Sequence, residues 1–181
     1  APAAAIASRE ITVTAQDGTE LAATLFEPGM TAASEAPLVV IGGAVTFVNP
    51  EPLAMFADVI AAGEGEALVP ALVDAFGTSS RSEQLKRLAQ ARGYYIPSFY
   101  DVEYAADGTI ARYVPKEGTG APPVVRKAAL KTTEAVDPPS TTIFTPDTEF
   151  GSRFLIEVVR GCANLCRFCW AGYNYLPVRS F

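Results

Sequence analysis

Apolar and polar residues alternate with a period of two at two places along this chain. Ile11 and Val13, then Leu21, Ala23 and Leu25, alternate on either side of Asp17-Gly18, which predicts an antiparallel hairpin over residues 9–28. The same signal returns at Val102 and Tyr104, with Asp107-Gly108 as the turn and Ile110 and Arg112 on the far side. Between the hairpins the pattern becomes short apolar runs alternating with helical stretches. Leu38-Val39-Val40-Ile41 is a continuous apolar run ending in Gly42-Gly43, the mark of a strand covered on both faces. Pro50-Glu51-Pro52 predicts the first turn of a short helix, and Val59-Ile60-Ala61 the next strand. Residues 64–76 read as a helix closed by Gly77. Residues 79–91 read as a second, polar helix with Ser80 and Glu83 as a capping box, ending at Gly93.

Residues 29–36 are small and polar, a linker. Residues 115–147 are rich in proline, with the pairs Pro122-Pro123 and Pro138-Pro139, and carry few large apolar side chains, so an extended connector is expected there. Phe154-Leu155-Ile156-Glu157-Val158-Val159 predicts a strand that runs straight into Arg160-Gly161-Cys162. The whole is an α/β pattern in four blocks: a hairpin with its linker at 1–36, an α/β region at 37–93, a hairpin and connector at 94–147, and a strand with a cysteine loop at 148–181.

Composition narrows the function classes. The chain has 181 residues, 49% of them hydrophobic, and a mean hydropathy of +0.19, so it is expected to fold. No run of about 18 apolar residues predicts a membrane span. Residues 1–8 are small but lack the basic start and apolar core of an intact signal peptide. A net charge of −6 argues against a non-specific nucleic-acid surface. The aromatic run over residues 94–104, with four tyrosines and a phenylalanine, is therefore expected to be a hydrophobic seam between domains rather than a base-stacking platform. There is no histidine, which removes Ser-His-Asp and Cys-His catalysis and histidine-rich zinc sites.

All three cysteines lie within eight residues, Cys162, Cys166 and Cys169, at the spacing Cys-x3-Cys-x2-Cys. An odd, clustered set suits a reducing compartment and a metal or cluster better than disulfides, and a cytoplasmic location is expected. Three thiolates without a fourth partner suit a 4Fe–4S cubane with one iron left open. Gly161 lets the backbone turn after the strand, and Arg160 and Arg167 are expected to favour deprotonated thiols. Two other readings of the same residues stay open: a structural zinc module completed by a carboxylate, and a redox pair formed by Cys166 and Cys169. A non-catalytic interaction fragment with free cysteines is the third.

The cysteine loop together with residues 143–179, including Trp170-Ala171-Gly172-Tyr173 and Pro177-Val178-Arg179, resembles the entry to the catalytic barrel of radical S-adenosylmethionine (radical SAM) proteins of the cobalamin-binding-domain type. Gly42-Gly43, Asn49-Pro50-Glu51-Pro52-Leu53, Asp58-Val59-Ile60 and Gly63-Glu64-Gly65-Glu66 resemble the second half of that family's N-terminal Rossmann-like domain, and residues 94–104 its linker. The resemblance implies a truncated Rossmann-like domain, a Pro-rich connector, and the first strand plus cluster loop of a partial (β/α) barrel. It implies a 4Fe–4S cluster on Cys162, Cys166 and Cys169, with S-adenosylmethionine on the open iron cleaved to a 5′-deoxyadenosyl radical. It also implies a one-electron reductant such as flavodoxin or ferredoxin, and Phe168 against the adenine end of the cofactor, ordinary packing under the loop being the alternative. The family's Asp-x-His-x-x-Gly cobalamin pattern has no counterpart in this chain. Glu64 and Glu66 read as acids at a helix start, favoured by its dipole. Only twelve residues follow Cys169, so this chain is expected to be inert alone.

The first block reads differently. Residues 10–28 and Ala36-Pro37-Leu38-Val39-Val40-Ile41-Gly42-Gly43-Ala44 resemble the opening of an α/β-hydrolase, with a junction expected near residues 38–43. No Gly-x-Ser-x-Gly elbow follows, so esterase chemistry cannot be completed within this sequence.

Overall fold

Strands β1 (Ile6–Thr14) and β2 (Glu20–Pro28) pair antiparallel from Ile6 opposite Pro28 to Thr14 opposite Glu20. The first hairpin is therefore present, while its Asp17-Gly18 turn lies outside the described residues. The computed structural model describes residues 6–14, 20–28, 38–76, 80–132 and 136–181.

A three-stranded sheet in the order β3-β4-β5 organises the next unit. β3 (Val40–Gly42) and β4 (Val59–Ala61) run parallel, and β5 (Tyr94–Tyr95) closes the other edge antiparallel to β4. The parallel crossover uses two 3-10 turns, Ala44–Phe47 and Glu51–Leu53, the second where prolines 50 and 52 predict a helix start. Val59 and Ile60 are wholly buried, as expected for a central strand of continuous apolar residues. β3 departs from the expectation of double cover. Among the described residues it has a neighbour on one side only, and Val39 beside it is 48% exposed.

Helices α1 (Gly65–Phe76) and α2 (Arg81–Gln90) supply the other half of the core. Leu68 and Ala75 from α1 and Leu88 and Ala89 from α2 meet Val59, Tyr94 and Ile96. Ser80 caps α2 by accepting the Glu83 amide at 3.2 Å, the half of the capping box that the sequence predicts most directly. Gly93 follows in a left-handed conformation, φ +92°, with no room for a side chain. A Cβ there would lie 2.7 Å from Leu68 Cδ2 and 2.8 Å from both Ala128 Cβ and the Ala62 carbonyl. The aromatic run is largely built into this core. Tyr94 is buried and donates to the Leu68 carbonyl at 2.7 Å, and Tyr100 donates to the Pro122 carbonyl at 2.7 Å.

The second hairpin is β6 (Tyr100–Tyr104) with β7 (Ile110–Pro115), and Tyr104 opposes Ile110 across the Asp107-Gly108 turn. The proline-rich connector is more than a spacer. Ala128 is buried, receives the Glu64 amide at 3.0 Å and donates to the Ala62 carbonyl at 3.0 Å, so it extends the sheet beyond β4.

The strand expected over 154–159 is mostly absent. Among the described residues only β8 (Val159–Arg160) pairs as a strand, antiparallel to β9 (Arg179–Ser180), with one further bridge between Ile156 and Ser140. Phe154, Leu155, Ile156 and Val158 are exposed. β-propensity expresses itself against neighbouring strands and a covering face, and here residues 155–157 meet only the short segment 139–141 and have no covering face. Among the described residues no helix is long and apolar enough to cross a membrane.

Candidate functional site: a cysteine loop held by two arginines

Gly63-Glu64-Gly65-Glu66 runs from the turn after β4 into the first turn of α1, and its two glutamates reach across to the last block of the chain. Glu64 is buried. Its carboxylate accepts from Arg179 twice, Nη1 to Oε2 at 2.8 Å and Nη2 to Oε1 at 2.6 Å. The Leu130 amide donates to the same Oε2 at 2.9 Å, and Arg160 Nη1 stands 3.3 Å away. Glu66 takes a second fork, from Arg160 Nη1 at 3.1 Å and Nη2 at 2.8 Å. Glu157 completes the Arg160 site with bonds of 2.7 and 2.8 Å. Bidentate guanidinium–carboxylate pairs are the strongest ion-pair geometry available to side chains.

Burial by itself pushes the Glu64 carboxyl up, but the Arg179 guanidinium, the Leu130 amide and Arg160 outweigh it and hold it below the ordinary value. At Glu66 the hydrogen bond from Arg160 comes first and has the same direction. The Arg160 guanidinium is raised, chiefly by Glu157 and Glu66. One expectation is corrected by this geometry: the Glu64 side chain is not a cap of α1, which Glu64 caps with its backbone carbonyl, accepting from Ala67 and Leu68 at 3.0 and 3.1 Å. Glu66 remains an acid in the first turn of α1, its carboxylate also bonded by its own backbone amide. Arg160 shares its charge among three carboxylates.

Between these two arginines lies the cysteine loop. Gly161, at φ +91°, makes the turn off β8, and a Cβ there would lie 2.6 Å from the Tyr175 carbonyl. Leu165 adopts φ +46°, and its carbonyl accepts from the Tyr173 hydroxyl at 2.8 Å. The Cys169 amide donates to the Cys166 carbonyl at 2.9 Å, closing a turn from which α3 (Trp170–Asn174) starts. Cys166 is exposed and Cys162 and Cys169 are half-buried, all three as free thiols. The donor chemistry fits an iron–sulfur cluster, since three thiols stand in one loop with no histidine to compete. The conformation does not yet gather them: among the described residues no group of three His, Cys, Asp or Glu side chains converges at metal-binding spacing. Holding one cube therefore requires the loop to close between residues 162 and 169.

Phe168 is 92% exposed, so it does not pack beneath the loop. Trp170 and Tyr175 instead make the contact with the α/β unit. Phe47 lies 6.3 Å from the Trp170 ring and 5.6 Å from Tyr175, the latter edge-on. Lys127 sits over the Phe47 ring at 5.5 Å and donates to the Asn174 carbonyl. Beside this seam an open cavity of about 520 Å³, lined by Tyr95, Tyr100, Tyr113, Glu51 and Lys127 among others, lies beyond the carboxyl ends of β3 and β4. Ligands of open α/β sheets bind at such ends. Burial and the neighbouring Glu51 carboxylate, which accepts the Tyr95 hydroxyl at 3.0 Å, keep that phenol protonated.

Comparison with curated proteins and with solved structures returned no match. Residues 30–97 match the family described as radical SAM proteins, N-terminal. The matched stretch contains β3, β4, β5, α1 and α2, and it begins seven residues before the boundary expected at 37. It stops well short of the cysteines, so the family match and the Cys-x3-Cys-x2-Cys spacing are separate observations on separate stretches of chain. The α/β unit at residues 30–97 is similar to the N-terminal portion of radical SAM proteins.

Proposed function

We propose that this chain carries an N-terminal portion of a radical SAM protein, in which a Rossmann-like unit supports the cluster loop at the entry to a (β/α) barrel. In this reading Cys162, Cys166 and Cys169 would hold a 4Fe–4S cluster, which with S-adenosylmethionine bound would supply the one electron that cleaves this cofactor to methionine and a 5′-deoxyadenosyl radical. The chain's own residues hold and place the loop. Arg160 and Arg179 fix its two ends, Gly161 turns it off β8, and Phe168 presents an exposed ring for the adenine end. A one-electron donor of the flavodoxin or ferredoxin kind and a cytoplasmic, reducing setting belong to the same reading. The missing Asp-x-His-x-x-Gly pattern leaves no basis for proposing cobalamin.

One observation carries the proposal. A thiol triplet suited to a three-ligand cubane is bracketed by arginines, and both are paired to a turn inside the stretch that matches radical SAM proteins. Anaerobic loading with ferrous iron and sulfide tests it. The expected result is about four irons per chain and a cubane Mössbauer spectrum, both lost when any one cysteine becomes alanine. Zinc bound tetrahedrally as purified, with no cubane after loading, overturns it in favour of a structural zinc module.

A further inference from the structure

We propose that Glu64 and Glu66 are positioning residues of the cysteine loop: through Arg179 and Arg160 they set where its two ends stand, and so whether three sulfurs can close on one cluster. The inference deepens the cluster reading above and rests on it. Its ground is the placement of the ion pairs. Arg160 is the last residue before Gly161-Cys162, and Arg179 begins the strand that returns from the loop. β8 and β9 pair through only two residues on each side, Val159 with Ser180 and Arg160 with Arg179. So short a ladder defines the spacing of the ends weakly by itself. The forked bonds to Glu64 and Glu66 add directional restraint from the turn that follows a buried strand and from the first turn of the helix after it. Glu64 lies three residues past β4 and Glu66 five, so motion of that junction is motion of both loop ends together.

A device that only stabilised the fold would need no such arrangement. One buried pair would serve, and it could lie anywhere along the seam that Phe47, Trp170 and Tyr175 already make. Instead Glu64 holds Arg179 and stands 3.3 Å from Arg160, Glu66 forks onto Arg160, and the two glutamates are separated by a single glycine.

The test uses the 181-residue chain and its Glu64→Gln and Glu66→Gln variants, with Glu103→Gln as control. Glu103 pairs with Arg112 at 2.7 Å on the β6–β7 hairpin, a similar bond far along the chain from the loop. In the metal-free, reduced protein, alkylation by iodoacetamide is followed at each cysteine by mass spectrometry, at a temperature where circular dichroism shows the fold intact. Loss of stability alone speeds all three thiols by a common factor. Displaced loop ends change the rate at Cys162 relative to Cys166, by about threefold or more. The Glu66 variant is also expected to retain fewer irons after anaerobic loading, and the control to match the parent in both readouts. Unchanged rate ratios in a folded Glu66→Gln protein overturn the proposal. If the parent itself takes up no iron, the cluster reading falls and the thiol ratios alone decide the positioning role. If Glu64→Gln does not fold, Glu66→Gln, whose side chain is 27% exposed, decides it.

Discussion

Glu64 and Arg179 lie 115 residues apart in sequence and meet through two hydrogen bonds of 2.6 and 2.8 Å, with 3% and 6% of their side chains exposed. Removing one partner of such a pair leaves an uncompensated charge out of water. Glu64→Gln is therefore expected to cost about 3–5 kcal/mol, a large part of what holds an ordinary domain folded. Replacing both partners by apolar residues, Glu64→Leu with Arg179→Met, removes the stranded charge as well as the pair. That double variant is expected to lose less than the sum of the two single changes. Urea midpoints at constant slope measure it, and strict additivity would show that the two charges do not depend on each other.

Acid should release the same contacts. The Glu64 and Glu66 carboxyls both sit below the ordinary value of 4.5, so each holds its proton less tightly in the folded chain than in the unfolded one. The unfolded chain then binds more protons, and falling pH favours it. The contribution of the two glutamates is complete above 4.5 and is lost as pH drops through that value toward their folded pKa. Glu103 and Asp107 are also lowered, but both are fully exposed on the second hairpin, where water screens their partners and little stability rides on them. Stability followed by urea unfolding should be level from about pH 7 to about pH 5.5 and fall below that. Glu64→Gln, weaker at neutral pH, should lose less across the acid range than the parent does. An equal acid loss in both proteins would assign the effect to other carboxylates.

Gly93 links three parts of the α/β unit that are far apart in sequence. Its missing side chain makes room for Leu68 of α1, for Ala128 of the connector and for the carbonyl after β4. Gly93→Ala adds a clash with all three to a backbone angle that side chains disfavour, and is expected to cost about 2–4 kcal/mol. The change should also loosen the Ala128 bridge, raising hydrogen exchange at the Ala128 and Glu64 amides, which bond to Ala62 and Ala128. Protection that stays at parental levels would mean the neighbours can move aside at no cost to the bridge.

What the sequence disclosed were the features written in neighbouring residues. Asp-Gly turns between alternating apolar positions announced both hairpins, and Ser80 with Glu83 announced the start of α2. Val59-Ile60-Ala61 announced the central strand by being apolar throughout. Glu64 and Glu66 were visible only as acids at a helix start, because their partners Arg179 and Arg160 come 115 and 94 residues later, respectively, and no local pattern marks them. A pair of glutamates separated by glycine, in a chain with arginines on both sides of a cysteine loop, was the one available hint. Residues 154–159 misled in the opposite direction. Their composition favours a strand, yet strand formation depends on a partner: Val159 and Arg160 find one in β9, and Ile156 makes only an isolated bridge to Ser140. The cysteine spacing named a ligand set without fixing the fold of the loop that carries it.

Phe168 and Trp170 stand two residues apart and divide two roles between them. Trp170 is the chain's only tryptophan and rests against Phe47, so its ring joins the loop to the α/β unit. Phe168 is 92% exposed and contributes no comparable packing. Phe168→Ala is therefore expected to change stability by no more than about 0.5 kcal/mol, whereas Trp170→Ala should cost about 1–2 kcal/mol through lost aromatic contact and burial. Iron retention after anaerobic loading should be unaffected in Phe168→Ala, since the ring donates nothing to a metal. Binding of S-adenosylmethionine to the loaded protein should weaken if the ring meets the adenine end. Thermal melting separates these outcomes: a fall of about 4 °C or more in Phe168→Ala would show that the ring is packed under the loop and that the exposed ring is not the state the protein keeps in solution.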